Sequence, residues 1–204
     1  MKTIVLGTAH AEDTPGKRSP DGKFREYKFS REITSQVAEN LKNLGVDVLY
    51  IDAKSEPNVG YIKKNKVIPT NNYTKGKDAL YFVLHCNASA KNGWDTARGI
   101  SIYTTVGKTK ADEYAEIIYN AIENEFNDIT PNDRARWKFW RGDKTDGDID
   151  YEANFNEIMC RPPAVLLEFL FQNNKEDVAL LNDESIKKRL IETLTSVLFE
   201  IAKK

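Results

Sequence analysis

The chain has only two histidines, and each closes an apolar run: His10 ends "IVLGTAH" and His85 ends "ALYFVLH". The carboxyl ends of strands are where open α/β sheets build their sites. Two carboxylates stand in comparable places. Glu168 interrupts the apolar run "AVLLEFLF" at 164–171. Glu26 continues, toward the N-terminus, a helical stripe that carries Leu44, Leu41, Val37 and Ile33, beyond the point where its apolar residues stop. A carboxylate there complements the helix dipole and lies on the core-facing side.

Two imidazoles and a carboxylate on separate elements suit Zn²⁺, and three protein ligands leave a fourth position for water. Zinc lowers the pKa of that water and polarises a carbonyl oxygen. A second carboxylate off the metal can take the water's proton and pass it to a leaving amine. Glu168 fits that role, because burial among apolar neighbours raises a carboxyl pKa toward neutrality. Plainer readings exist for each residue. A histidine at a strand end can be a satisfied structural group, Glu26 a first-turn acid, and Glu168 a solvent-facing residue of an edge strand. No HExxH and no Cys/His cluster of finger spacing occurs.

The elements that must carry these residues are legible from periodicity. Short runs rich in β-branched and aromatic residues predict strands at 3–7, 46–51, 79–85, 99–104 and 164–171. Amphipathic stripes predict helices from about 25 to 43, from about 109 to 126, and from Asp183 to the C-terminus. Gly45 stops the first of these. Strands alternating with helices predict a single α/β domain over 1–204, with a twisted, mostly parallel sheet flanked by helices on both faces. Polar segments at 11–24, 53–77 and 128–150 read as long loops, the second with a short helix near 59–68.

Composition removes several classes of function. Of 204 residues, 40% are hydrophobic and 30% charged, and the formal net charge is −1, so no global field draws the chain to nucleic acid. No apolar run approaches the ~20 residues that span a bilayer, so stable membrane insertion is not expected. Cys86 and Cys160 lie in or beside apolar stretches and read as thiols rather than a disulfide. The Arg/Trp segment at 133–143 reads as a surface loop walling a groove, and 143–152 as a solvated acidic loop whose register does not fit a calcium site.

Taken together, these pieces resemble the zinc-dependent N-acetylmuramoyl-L-alanine amidases of the type found in cell-division amidases and phage endolysins. The resemblance rests on "IVLGTAH", on a helix opened by Glu26, on "LHCNAS", and on "PPAVLLEFLFQNN". Ala11 stands where the family has Gly after its first histidine. The resemblance implies zinc ligands at His10, Glu26 and His85, one Zn²⁺ per chain, Glu168 as catalytic acid/base, and Asn87 near the substrate. It implies peptidoglycan as the partner and hydrolysis of the amide between N-acetylmuramic acid and L-alanine. A monomeric phage or prophage endolysin is the expected role. Such a protein is synthesised in the cytoplasm without a visible signal peptide and acts on the cell wall after release by a holin-type partner. Another zinc peptidase or deacetylase on this scaffold, or a non-catalytic wall-binding protein, are the alternative readings.

Overall fold

The computed structural model describes residues 1–90, 92–131, 136–143, 145 and 147–204. In chain order its elements are β1 (Thr3–Thr8), α1 (Glu26–Asn43), β2 (Val48–Ile51), α2 (Val59–Ile62), a π-helical turn (Lys63–Val67) and α3 (Ile68–Tyr73). Then come β3 (Ala79–Asn87), β4 (Ile100–Thr104), α4 (Lys110–Glu125), α5 (Arg136–Phe139), β5 (Trp140–Arg141) and β6 (Tyr151–Glu152). β7 (Ala164–Phe171), α6 (Lys175–Leu181) and α7 (Glu184–Lys203) complete the chain.

The five predicted strands join the unpredicted β5 in one sheet of order β2-β1-β3-β7-β4-β5, with β6, also unpredicted, on β4. Every pairing is parallel except β4 with β7. The apolar runs of β1 and β3, buried at every position but Asn87, follow from cover on both faces. One face carries Ile4, Leu6, Phe82, Leu84, Val165 and Leu167 against α1, α4 and α7. The other carries Val5, Tyr81, Val83, Ala164 and Leu166, packed with Ile51 and Ile158. The layer on that second face is thinner, and short helical turns over 59–73 contribute to it. Helices thus flank both faces, as periodicity predicts, but only one face has long ones.

Local chemistry sets the helix ends. The α4 helix opens with a capping box of Thr109 and Asp112, and Asp183 caps α7 through the Ser185 and Ile186 N–H groups. Gly45, at φ 82°, ends α1 in a Schellman motif: its N–H reaches the Lys42 carbonyl and the Val46 N–H the Leu41 carbonyl. Gly7 has a different reason. A Cβ there would lie 2.3 Å from the Tyr81 hydroxyl, so β1 must lack a side chain where Tyr81 crosses it.

Two loop expectations are corrected. Of the Arg/Trp segment, residues 133–135 lie outside the described residues, but Phe139 and Trp140 are buried and β5 pairs with β4. Trp140 and Phe139 are core aromatics that finish the sheet edge, not a groove wall. Of the acidic segment, residues 144 and 146 lie outside the described residues. Asp150 is buried, accepts a 2.6 Å bond from the Thr104 hydroxyl, and has its pKa pushed up to about 6 by burial. The α6 helix escapes periodicity because it spans only two turns. Asn174 caps it through the Glu176 and Asp177 N–H groups.

Candidate active site

Backbone placement comes first. β3 and β7 lie side by side in the sheet interior, with His85 registered opposite Glu168 and Glu168 opposite Ser101 of β4. The solvent-facing edge-strand reading of Glu168 is thereby removed. Beyond this point the register slips: two steps on β3, from His85 to Asn87, match three on β7, from Glu168 to Phe171. Leu170 takes up the extra residue at φ 64°. Among the described residues, the other non-glycine positions at positive φ are His10 (48°) and Lys17 (39°). All three border the same region, and backbone strain of this kind concentrates at functional sites.

The structure brings His10, Glu26 and His85 together. One ligand atom from each lies within 4.8 Å of the others, and all three residues are buried. The rings of His10 and His85 meet edge to face, 4.8 Å between centroids. Glu26 Oε1 is 3.0 Å from His85 Nδ1 and 3.5 Å from His10 Nε2. The Cys86 N–H donates to the same oxygen at 3.1 Å, while Gln172 Nε2 donates to Oε2 at 2.9 Å. These donors aim the carboxylate at the two rings.

Each imidazole is held from behind by a further carboxylate. Glu56 Oε1 lies 3.0 Å from His10 Nδ1, and Glu157 Oε2 lies 3.0 Å from His85 Nε2. A proton on each of those outer nitrogens directs the remaining nitrogens, His10 Nε2 and His85 Nδ1, toward Glu26. Between the two outer carboxylates sits the ammonium group of Lys66, fully buried, 2.8 Å from Glu56 and 2.9 Å from Glu157. The Tyr81 hydroxyl also donates to Glu157, at 3.0 Å, which explains the gap kept open at Gly7.

Charge states follow from these contacts. Burial works against the ionised Glu26, but the two histidines outweigh it and hold its pKa at about 2. Burial likewise opposes a charged His85, yet Glu157 and Glu26 prevail and lift it to about 10. His10 moves the other way: burial lowers its pKa despite Glu26 and Glu56. Glu168 stands apart. Burial first, with the Glu26 charge adding to it and His85 opposing, raises its pKa to about 7. Its Oε2 atom is buried without a hydrogen-bond partner.

That shift has a measurable consequence. A carboxyl whose folded pKa is raised favours the fold when protonated. Its contribution is intact below its ordinary 4.5 and is lost as pH rises through about 7. Glu168→Gln mimics the protonated form. In chelator-treated protein the variant should match wild type near pH 4.5 and exceed it by about 1–3 kcal/mol at pH 8. Thermal melts across that range measure the difference, and a variant less stable than wild type at pH 8 would show Glu168 to be favoured as the anion.

The donor set fits a divalent metal ion. Two imidazole nitrogens and one carboxylate oxygen converge, each oriented by a second hydrogen bond, in the pattern that surrounds zinc in proteins. With both imidazoles neutral, as metal ligation requires, the three negative charges of Glu26, Glu56 and Glu157 and the positive charge of Lys66 sum to −2. A divalent cation balances that sum.

A cleft of about 400 Å³ adjoins the cluster through Gln172. The 15–20 loop lines one side, with Lys17 and Arg18, and Ala88, Ser89, Asn92 and Gly93 line the other. Asn87 is half-buried beside it. Its Nδ2 donates to the Ser101 hydroxyl at 3.2 Å, and its Oδ1 accepts from the Ala88 N–H.

The family model of the N-acetylmuramoyl-L-alanine amidases, Amidase_3, matches residues 4–198. The chain belongs to this family. Its members' fold is also what solved structures show. An N-acetylmuramoyl-L-alanine amidase from Clostridium difficile 630 superposes with a TM-score of 0.77 at 19% identity, over 100% of this chain and 97% of that one. The catalytic domain of CwlV, an amidase from Bacillus (Paenibacillus) polymyxa var. colistinus, gives 0.74 at 19% identity, over 100% and 99%. AmiC2, an amidase of Nostoc punctiforme, gives 0.72 at 16%, over 100% and 98%. No curated protein sequence matches the chain. Hydrolysis of a peptidoglycan amide is the activity of this amidase family.

Sequence reading missed Glu56, Glu157, Lys66 and Gln172. Glu56 and Lys66 fall in the polar stretch 53–77 and Glu157 in "NFNEIMC", where a charge has no periodic context to mark it as buried.

Proposed function

We propose that the chain is a zinc-dependent N-acetylmuramoyl-L-alanine amidase. In this reading His10 Nε2, Glu26 and His85 Nδ1 hold the metal and Glu168 moves the proton. One observation carries it: three metal-ligating groups converge from the turn after β1, from α1 and from β3, next to a carboxylate whose buried oxygen has no partner. Bound by these residues, a zinc ion would supply Lewis acidity toward the attacking water and the scissile carbonyl. The protein's part is orientation and proton transfer. Glu168, with a pKa near 7, can accept the water's proton at Oε2 and return it to the alanine nitrogen as the C–N bond breaks. Glu56 and Glu157 hold the imidazoles in the tautomer that leaves a lone pair for the metal. Asn87, beside Ser101 and the cleft, is assigned to the substrate.

Product analysis on purified peptidoglycan tests the reaction. The expected products are stem peptides with newly freed L-alanine amino termini and glycan strands with no new reducing ends. Reducing ends would identify a glycosidase, and other new amino termini an endopeptidase. A protein that binds the polymer and releases nothing would have only a binding role. The endolysin role is a separate proposal with its own test. Cells expressing the chain with a membrane-permeabilising partner should lose turbidity rapidly, and cells expressing either alone should not. Among the described residues no helix is long and apolar enough to cross a membrane.

A further inference from the structure

Lys66 is the residue of this protein that the reaction scheme leaves without a task. Lysine is almost never fully buried unless its charge is paired, and here it has no exposed surface. Both of its close ionic partners are carboxylates that grip a proposed metal ligand. Glu56 offers Oε2 to Lys66 and Oε1 to His10. Glu157 offers Oε1 to Lys66 and Oε2 to His85. The contacts therefore run His10–Glu56–Lys66–Glu157–His85, and Glu26 closes them into a ring from the inside.

We propose that Lys66 is a positioning residue for the metal site: its ammonium group ties the two outer carboxylates together and so fixes two ligands from different segments as one unit. The inference rests on the zinc reading given above. Three features carry it. The first is the bifurcation, in which each carboxylate spends one oxygen on the cation and the other on a ring. A brace serving only stability has no need of that division, because apolar packing of similar volume stabilises as well as a buried ion pair or better. The second is the backbone. Lys66 sits on a five-residue π-helical turn between α2 and α3. Turns of this type are rare overall but frequent at functional sites. Here Lys63 and Lys64 remain exposed while Lys66 points inward. The third is electrostatic. Without Lys66, Glu56 and Glu157 would be buried like charges with no cation between them, and they would be pushed off the geometry that orients the rings.

The test uses the full chain with zinc and a competing chromophoric chelator. Wild type should bind about one zinc per chain. Lys66→Met puts in an unbranched side chain one atom shorter and removes the charge. Its zinc Kd should weaken roughly 10–100-fold, the usual cost of losing an outer-shell partner, with far-UV circular dichroism unchanged. The visible spectrum of the cobalt-substituted variant should differ from that of wild type, because the ligand rings are no longer held. Should Lys66→Met not fold, Glu56→Gln cuts the ring at one link while Lys66 keeps Glu157, and its zinc affinity should fall in the same direction. Wild-type affinity and an unchanged cobalt spectrum in Lys66→Met, with only a lowered melting temperature, would overturn the proposal and leave Lys66 a structural brace. So would wild-type affinity in Glu56→Gln. If wild type itself binds no zinc, the metal reading falls and this inference falls with it, an outcome distinct from a variant that binds as well as wild type.

Discussion

Glu168→Ala should fold, bind zinc as wild type does, and turn over peptidoglycan roughly 10²–10⁴ times more slowly, the usual contribution of a positioned acid/base. On the activation barrier this is about 3–5 kcal/mol. The reason lies in how the site is divided. Among the described residues, the compact metal-ligating group comprises His10, Glu26 and His85 and does not include Glu168. Glu168 reaches the site from β7, in register with His85, with one oxygen buried and unpartnered. Truncation removes a proton acceptor and no metal donor. Since that oxygen makes no internal hydrogen bond, its loss leaves no other polar group stranded. Single-turnover rates on purified peptidoglycan, zinc content and a binding assay with the insoluble polymer separate the roles. A variant that keeps its fold and loses its zinc would make Glu168 a ligand and require the roles of Glu26 and Glu168 to be exchanged.

The second large effect is on the metal. Glu26→Gln, His10→Ala and His85→Ala should each lose most of the bound zinc after dialysis and, with it, activity. Glu26→Gln is the sharpest of the three. The amide preserves shape but is a poor neutral donor to Zn²⁺. If Glu26 served only the helix dipole, the same change would cost no more than ~1 kcal/mol of stability and leave activity intact. His85→Ala should also destabilise the fold, by about 3–5 kcal/mol, because Glu26 and Glu157 would be left facing an empty, buried space between them. His10→Ala should destabilise less, since His10 lies 3.5 Å from Glu26 against 3.0 Å for His85, and Glu26 keeps the closer partner. Elemental analysis beside thermal melts reads both quantities. Full zinc occupancy in the two histidine variants would overturn the ligand assignment.

Much of this protein is determined by local pattern. Alternating strand runs and amphipathic stripes specify the elements because burial on both faces of a parallel sheet demands apolar residues at nearly every position, as in β1 and β3. The same rule makes exceptions visible. His85 and Glu168 stand out because each breaks an apolar run, and Glu26 because it prolongs a helical stripe past its last apolar residue. A polar residue in a strongly patterned setting is therefore legible without coordinates. Glu56, Lys66 and Glu157 have no such setting. They lie in stretches of polar and mixed sequence, where a charge is ordinarily solvated, and only the packing of the 59–73 turns and the 153–163 loop over the second face of the sheet buries them together. Their pairing distances in sequence, 46 residues for Glu56 with His10 and 72 for Glu157 with His85, carry no periodic signal. The register slip at Leu170 and the left-handed turn at His10 are likewise decided by tertiary contacts, since neither leucine nor histidine prefers that backbone region. The sequence by itself determined which residues could do the chemistry and on which elements they ride. The tertiary structure alone decided what holds them: a ring of buried charges assembled from segments whose sequence carries no pattern of burial.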